Sequence, residues 1–387
     1  MSEKEIRRRV EIPFIKLRKI DSQVFIQIIK DNFKLDAIID NKYKILHENN
    51  FTLFPLVENK VMISKLIKAI NNLIPFEILT REGLKNQNYK YKTLDEALTG
   101  KFPNDLEFLV PKSYDIIGDI AILEFKDVNE IEKHEFEEYK RIISQAVIQV
   151  NKNVLSVFEK ISEVKGEFRL RKFSFLFGED KSETIHRENK CLFKLDIKKT
   201  YFSPRLSNER RRVANSNIRQ NEVIVDMFSG VGPFSIQIAR LNKVEIHAFD
   251  VNPQAYENLR KNIDLNKLKG KVFPYNLNIK EILVPENKIG EALKNQVDRV
   301  IMNLPEKSFD FIKVACFLLK KSGGTLHIYS IVEKPKSIEK AIKLLDKILG
   351  KHNWLINKIL NSRIVKSYSP KAELVAIDLD IKYLSKR

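Results

Sequence analysis

Gly230 and Gly232 stand in "DMFSGVGPFS", between an apolar run, "EVIVDMF", and a helical one, "FSIQIARLN". Glycines in that setting let a chain turn tightly after a strand and let a ligand come close to the backbone. Asp226 precedes the turn. Asp250 closes the next apolar run, "VEIHAFD", eighteen residues after Gly232. A carboxylate there can accept hydrogen bonds from both hydroxyls of a ribose. "DVNP" also reads as a helix entrance, with Asp250 as N-cap and Pro253 near N1. Two cofactors use a glycine turn followed by a carboxylate: a dinucleotide and S-adenosylmethionine. The third glycine of a dinucleotide seat is missing, since Ser235 stands three after Gly232. That weakens the case for a pyrophosphate on the helix end. A further apolar run, "VDRVIM", stops at Asn303-Leu-Pro305. Proline cannot donate to a sheet ladder and restricts its predecessor. An amide held just ahead of such a break offers donors and acceptors from a rigid place, and it can hold an amino group beside a methyl donor.

These residues need a scaffold that brings strand ends together. From about residue 205 apolar strands and amphipathic helices alternate, which implies a mostly parallel, doubly wound α/β sheet. Two last strands, near "SRIVKSYS" and "AELVAIDLDI", follow the last helix and suggest an antiparallel edge. Residues 105–200 read as a middle α+β domain. It has a strand from Ile120 to Phe125 and a helix with Ile142, Ile143, Ala146, Val147 and Val150 on one face. Alternating strands follow in "EFRLRKFSFLFGE" and "KCLFKLDIKKTYF". Residues 1–95 mix short apolar runs with turns and read as a small N-terminal α+β module. The sheet domain then occupies 201–387.

The chain has 387 residues and a formal net charge of +18, from 69 Lys+Arg against 51 Asp+Glu. That excess suits a polyanionic partner such as nucleic acid, or lysines scattered over solvated faces. No run approaches the roughly 20 apolar residues of a membrane span. The first residues lack the apolar core of a signal peptide, so the chain reads as cytoplasmic. The two cysteines, Cys191 and Cys316, lie outside any metal-ligand spacing and read as core residues. No metal is expected, and no obligate protein partner; the chain reads as a monomer.

"EFRLRKFSFLFGE", "TYFSPRLSNERRRVA", "DMFSGVGPFSI", "FDVNPQAYENLRKNI", "VIMNLP" and "RIVKSYSP" occur in this order. Together they resemble the archaeal and eukaryotic tRNA (guanine-37 N1)-methyltransferases, strongly over about 105–387 and more loosely over about 1–95. The resemblance implies a class I S-adenosylmethionine-dependent methyltransferase, Rossmann-like, preceded by smaller α+β domains. It implies methyl transfer to N1 of guanine 37, beside the tRNA anticodon. Glu209 matches the general base and Arg169 the group that stabilises guanine O6. Tyr201 matches an aromatic position of the guanosine pocket. Asn303 and Pro305 match residues that shape the active site and hold the cofactor bent. Arg210, Phe228, Gly230, Gly232, Asp250, Val251, Asn278, Ile279 and Asn303 fall on cofactor-binding positions. The family commonly has Asp where Asn278 stands; its side-chain carbonyl can still meet an adenine amino group. Related wybutosine-pathway enzymes methylate C7 of a tricyclic guanine derivative or transfer an aminocarboxypropyl group. The chemistry agrees with the resemblance. Guanine N1 carries a proton that must leave, and charge then develops on O6, so a carboxylate and an arginine suit the two tasks.

Overall fold

The structure is a computed structural model that describes residues 10–126, 131–164 and 166–384. Packing divides the chain into two compact units, residues 1–92 and 93–387.

In the first unit an antiparallel sheet runs in the order Leu46–Glu48, Phe51–Pro55, Glu11–Arg18, Phe76–Glu82. The central strand, "EIPFIKLR", has apolar residues for both faces. Ile15 and Leu17 pack with Phe25 and Ile29 of helix Ser22–Asn32 and with Leu66 and Ile70 of helix Lys60–Ile70. Ile12 and Phe14 pack with Leu53 on the opposite face. Asn59 starts helix Lys60–Ile70 by accepting from the backbone N–H of Val61 and Met62, both at 3.1 Å.

The second unit begins with a four-stranded sheet in the order Asp115–Ile117, Ile120–Leu123, Ser156–Lys160, Phe173–Gly178. Helix Lys133–Val150 joins its two parallel strands and buries Ile143, Ala146 and Val147. The long strand expected over 167–179 starts only at Phe173. Gly166 and Arg169 both have left-handed φ, 74° and 55°, and the Arg169 N–H returns to the Gly166 carbonyl at 3.2 Å. The alternation of "EFRLR" therefore belongs to a glycine-initiated turn, and Arg169 projects from a loop. A hairpin, Glu183–Glu188 with Cys191–Asp196, comes next. Both cysteines are buried and free.

Seven strands complete the unit: β1 (Val223–Asp226), β2 (Glu245–Asp250), β3 (Lys271–Asn276), β4 (Arg299–Met302), β5 (Gly324–Glu333), β6 (Trp354–Ser369) and β7 (Ala372–Tyr383). Their order is β3-β2-β1-β4-β5-β7-β6. The first five are parallel, and β7 and β6 add an antiparallel edge. β1 and β4 are short and covered on both faces, as central parallel strands are. Strand order reverses at β1, which pairs with both β2 and β4. The crevice outside that switch point is where such sheets bind ligands.

The packing does not open a seam near residue 200. Asn262, on helix Pro253–Leu265, is fully buried. It accepts from the Lys194 N–H at 2.7 Å and donates to the carbonyls of Lys194 at 3.1 Å and Val231 at 3.0 Å. Asn266, one residue beyond the helix, does the same for Leu192, at 3.0 and 2.8 Å. The hairpin is thus fastened, through side-chain amides, to the helix beside the glycine turn.

Candidate active site

The register places the two punctuated loops side by side. Asp226 at the end of β1 pairs with Ile301 of β4, so the glycine turn and Asn303-Leu-Pro305 leave adjacent strands at one edge. Gly230 and Gly232 have φ of 54° and 89°. A Cβ on Gly232 would lie 2.4 Å from Leu259 Cδ1, whereas one on Gly230 would meet nothing nearer than the Tyr201 carbonyl at 3.8 Å. The left-handed φ calls for glycine at both positions, and Gly230 also leaves open backbone for a ligand.

The next strand supplies the carboxylate. Asp250 accepts from Gly230 N–H at 2.7 Å and from Asn252 N–H at 2.9 Å. Burial raises its pKa, against the pull of those two hydrogen bonds. Asp250 is not the cap of the following helix: Asn252 is, accepting from Gln254 N–H at 3.0 Å. Each Asp250 oxygen has lone-pair capacity left for a hydroxyl. Asn276, which the sequence reading missed, donates to the carbonyls of Asp250 at 3.0 Å and Val251 at 3.1 Å, fixing the bend after β2. Asn278 uses its side-chain oxygen to cap Lys280 N–H at 3.1 Å, and Ile279 beside it is buried. Phe228 packs edge-on against Phe311, with ring centroids 4.8 Å apart. Asp226 is almost fully buried. Its Oδ2 accepts from Ser235 Oγ at 2.7 Å while Oδ1 has no partner, and burial pushes its pKa up to about 7.

A second cluster meets this one through Tyr201. The Asn252 side chain holds the Lys199 carbonyl at 2.8 Å, which anchors the segment leading to Tyr201. The Arg169 guanidinium lies 5.1 Å above the Tyr201 ring, and its Nη1 is 3.3 Å from Glu306, next to Pro305. Asn303 Oδ1 is buried without a hydrogen-bond partner. An orphaned acceptor there fits a ligand amino group, because leaving it unpaired costs about 1–3 kcal/mol. Pro305 accepts from Ile331 N–H at 2.9 Å, tying the loop to β5. Tyr201 and Arg169 also line a cavity of about 880 Å³ with Arg171, Arg205, Lys366 and Tyr368. Seven Lys and Arg face it against three Asp and Glu. Burial and the charges of Arg205 and Arg171 lower the Lys366 pKa. Such an excess of positive charge around one cavity suits an anionic ligand.

Glu209 sits on helix Ser207–Ala214 at 2% exposure. Its Oε2 accepts from Arg212 at 3.1 and 3.0 Å and from the Tyr329 hydroxyl at 3.1 Å. Its Oε1 forms an ion pair with Arg363 and accepts no hydrogen bond. Arg210, one residue on, is wholly buried and turned to other work. It donates to Glu188 and to the Ser203 carbonyl and stacks 4.7 Å over Phe202. Burial lowers its pKa, opposed by Glu188. It fixes the "SPRL" loop, and no face of it is open to a small ligand. Tyr329 and Arg363 escaped the sequence reading because both lie within strands that looked structural. The signal was there in "LHIYS", whose His327 and Tyr329 share one face of β5.

The strand order, the glycine turn and the carboxylate after β2 define a class I methyltransferase fold. A family profile described as the TRM5/TYW2 methyltransferase domain matches residues 184–356, and one described as the TYW2 N-terminal domain matches 94–181. The chain is 38% identical to tRNA (guanine(37)-N(1))-methyltransferase Trm5b of Methanocaldococcus jannaschii, over 89% of this chain and 92% of that protein. It is similar to the solved complex of aTrm5 with tRNALeu, at TM-score 0.70 and 35% identity, covering 95% of this chain and 99% of that one. It also resembles Methanocaldococcus jannaschii Trm5 in complex with adenosine, at TM-score 0.57 and 32% identity, covering 97% and 100%. The chain belongs to the TRM5/TYW2 methyltransferase family.

Proposed function

We propose that this protein transfers a methyl group from S-adenosylmethionine to N1 of guanine 37 in tRNA. One observation carries the reading. Arg169, Tyr201 and the Asn303-Leu-Pro305-Glu306 loop, distant in sequence, converge beside the glycine turn and Asp250.

Asp250, with the open backbone at Gly230, would hold the ribose and adenosine part of the cofactor, and Asn303 Oδ1 its amino group. Val251, Asn278, Ile279 and Phe228 would wall the adenosine. When bound, S-adenosylmethionine supplies an electrophilic methyl group and a sulfonium that leaves as a neutral thioether. Tyr201 offers a face on which guanine can stack. Glu209 Oε1 accepts the N1 proton, and the nitrogen lone pair so released takes the methyl group. The Arg169 guanidinium is the donor for the charge that grows on O6. Pro305 keeps the loop rigid, with its carbonyl tied to β5. The basic cavity receives the neighbouring phosphates. No helix among the described residues is long and apolar enough to cross a membrane. We place the reaction in the cytoplasm, carried out by a monomer.

The match of residues 94–181 to a TYW2 N-terminal domain favours one second reading, action on a tricyclic guanine derivative. Labelled cofactor separates the two. Transcripts carrying guanine, adenine or the tricyclic base at position 37 are incubated with methyl-labelled or carboxyl-labelled S-adenosylmethionine. The proposal expects methyl label on guanine 37 and none on adenine 37. Carboxyl label entering tRNA, or methylation indifferent to the base at 37, would overturn it.

A further inference from the structure

Glu209 ends a line of charge, buried except at the partly exposed Arg212, that its proposed role as base does not explain. Arg212 bridges two carboxylates: it donates to Glu209 Oε2 through Nε and Nη2, and to Asp378 on β7 through Nη1 and Nη2. Asp378 Oδ1 meets His327 Nδ1 at 2.7 Å, and His327 Nε2 meets Arg299 Nη1 at 2.7 Å. Arg299 in turn donates through Nε to Glu222 at 3.0 Å and through Nη2 to the Asn217 carbonyl at 3.0 Å. Exposure is 2% at Glu209, 3% at Asp378, 1% at His327, 4% at Arg299 and 5% at Glu222. Isolated buried charges are expensive, so each member is retained only with its partner in place.

The bonds fix the protonation states. An arginine can only donate, so His327 Nε2 is an acceptor and the ring proton lies on Nδ1, pointing at Asp378. The imidazole is therefore neutral, in line with burial lowering its pKa against the pull of Asp378. Burial would raise the Asp378 carboxyl, but His327 and Arg212 outweigh it and hold it down at about 2. Asp378 is thus an anion across the useful pH range, and it shares the charge of Arg212. The other groups facing Glu209 are Tyr329 from β5 and Arg363 from β6.

We propose that Arg212, Asp378 and His327 are positioning residues that orient Glu209 and keep it basic enough to accept a proton. This rests on Glu209 being the base. Arg212 locks Oε2, so Oε1, which accepts no hydrogen bond and faces Arg363, is the oxygen left to take a proton. Alone, its charge would make Glu209 a poor base, since a nearby cation stabilises the carboxylate. Asp378 draws off part of that charge, and His327, locked by Arg299, holds Asp378 to the task.

The test is the pH dependence of single-turnover methylation at saturating enzyme and cofactor, with guanine-37 tRNA. Asp378→Asn keeps the shape and removes the anion. The acidic limb of its profile is expected to move down by about one pH unit. The plateau rate should fall by roughly tenfold, with tRNA and cofactor affinities held within about twofold. In the Glu209→Gln background, Asp378→Asn should then change nothing further, because coupled residues are not additive. His327→Asn keeps an N–H near the Nδ1 position and should restore a wild-type limb, whereas His327→Leu should behave like Asp378→Asn. A folded Asp378→Asn enzyme with a wild-type limb and rate overturns the proposal while leaving Glu209 as base. A wild-type rate for Glu209→Gln overturns the base assignment, and the proposal with it. Should Asp378→Asn fail to fold, the His327→Asn and His327→Leu pair decides: identical limbs for both count against the relay.

Discussion

At the scale of single residues, the site separates groups that touch a ligand from groups that hold them. Asp250 keeps lone pairs free after serving Gly230 and Asn252. Asp250→Ala is expected to weaken S-adenosylmethionine binding by roughly ten- to a hundredfold, the loss of a charge-assisted bond of about 1.5–3 kcal/mol. Calorimetric titration with cofactor, beside a tRNA binding curve, checks it; weakened tRNA binding with normal cofactor binding would contradict it. Glu209→Gln should slow single-turnover methyl transfer by roughly 10²- to 10⁴-fold with both ligands still bound, and raising the pH should partly restore it. A rate near wild type at saturating enzyme would remove Glu209 from the mechanism. Asp226 gives a pH prediction. Its pKa rises from about 3.9 in an unfolded chain to about 7 in the fold. Between those values the folded state holds a proton that the unfolded state has lost, so stability falls as pH rises through the window. Asp226→Asn cannot ionise. From about pH 5 to about pH 7 it should lose roughly 2 kcal/mol less stability than wild type, read from denaturant melts at each pH. Parallel pH curves for the two proteins would refute the assignment.

Elements decide whether those residues meet. Asn262 ties the hairpin strand Cys191–Asp196 to the glycine turn through three bonds, and no apolar residue could replace it. Asn262→Ala leaves buried backbone groups unpaired and should cost about 2–4 kcal/mol. Cofactor affinity should fall too, because the Val231 carbonyl loses its partner; an unchanged melting curve would show the tie to be dispensable. The β/α alternation after residue 205 was readable, since each strand and helix there carries its own period and its own break. Arg169 was assigned to a strand because Phe168 and Leu170 alternate with charges, and only the left-handed backbone at Gly166 and Arg169 makes that stretch a turn. Glu209 and Asn303 were legible because short motifs surround them. The relay through Asp378 and His327 was not, since its members come from β5, β7 and one helix, and no local pattern links residues 212, 327 and 378. A charged residue inside the apolar run "VAIDLDI" was the one local hint, because a buried charge demands a partner.

For the molecule as a whole, the net charge of +18 becomes meaningful through its concentration at the cavity that Lys366 and Arg205 line. We propose that the unit of residues 1–92 adds tRNA affinity and leaves the chemistry to residues 93–387. The logarithm of tRNA affinity should fall linearly with the logarithm of salt for the full chain, by about 0.7–0.9 per phosphate contact. A folded 93–387 variant should show a shallower slope and weaker binding, with single-turnover methylation kept at saturating enzyme. A slope unaffected by the deletion, or lost chemistry, would argue against this division. The outer strands of the seven-stranded sheet have a different consequence. On one side β3 carries Pro274, which has no N–H to offer. On the other, β6 slips register four times against β7 and carries Lys358, Arg363 and Lys366. Neither border is a flat, unbroken row of donors and acceptors on which a strand of another chain could build. At the concentrations where exposed sheet borders seed fibrils, this sheet is therefore expected to resist growing by strand addition at either border.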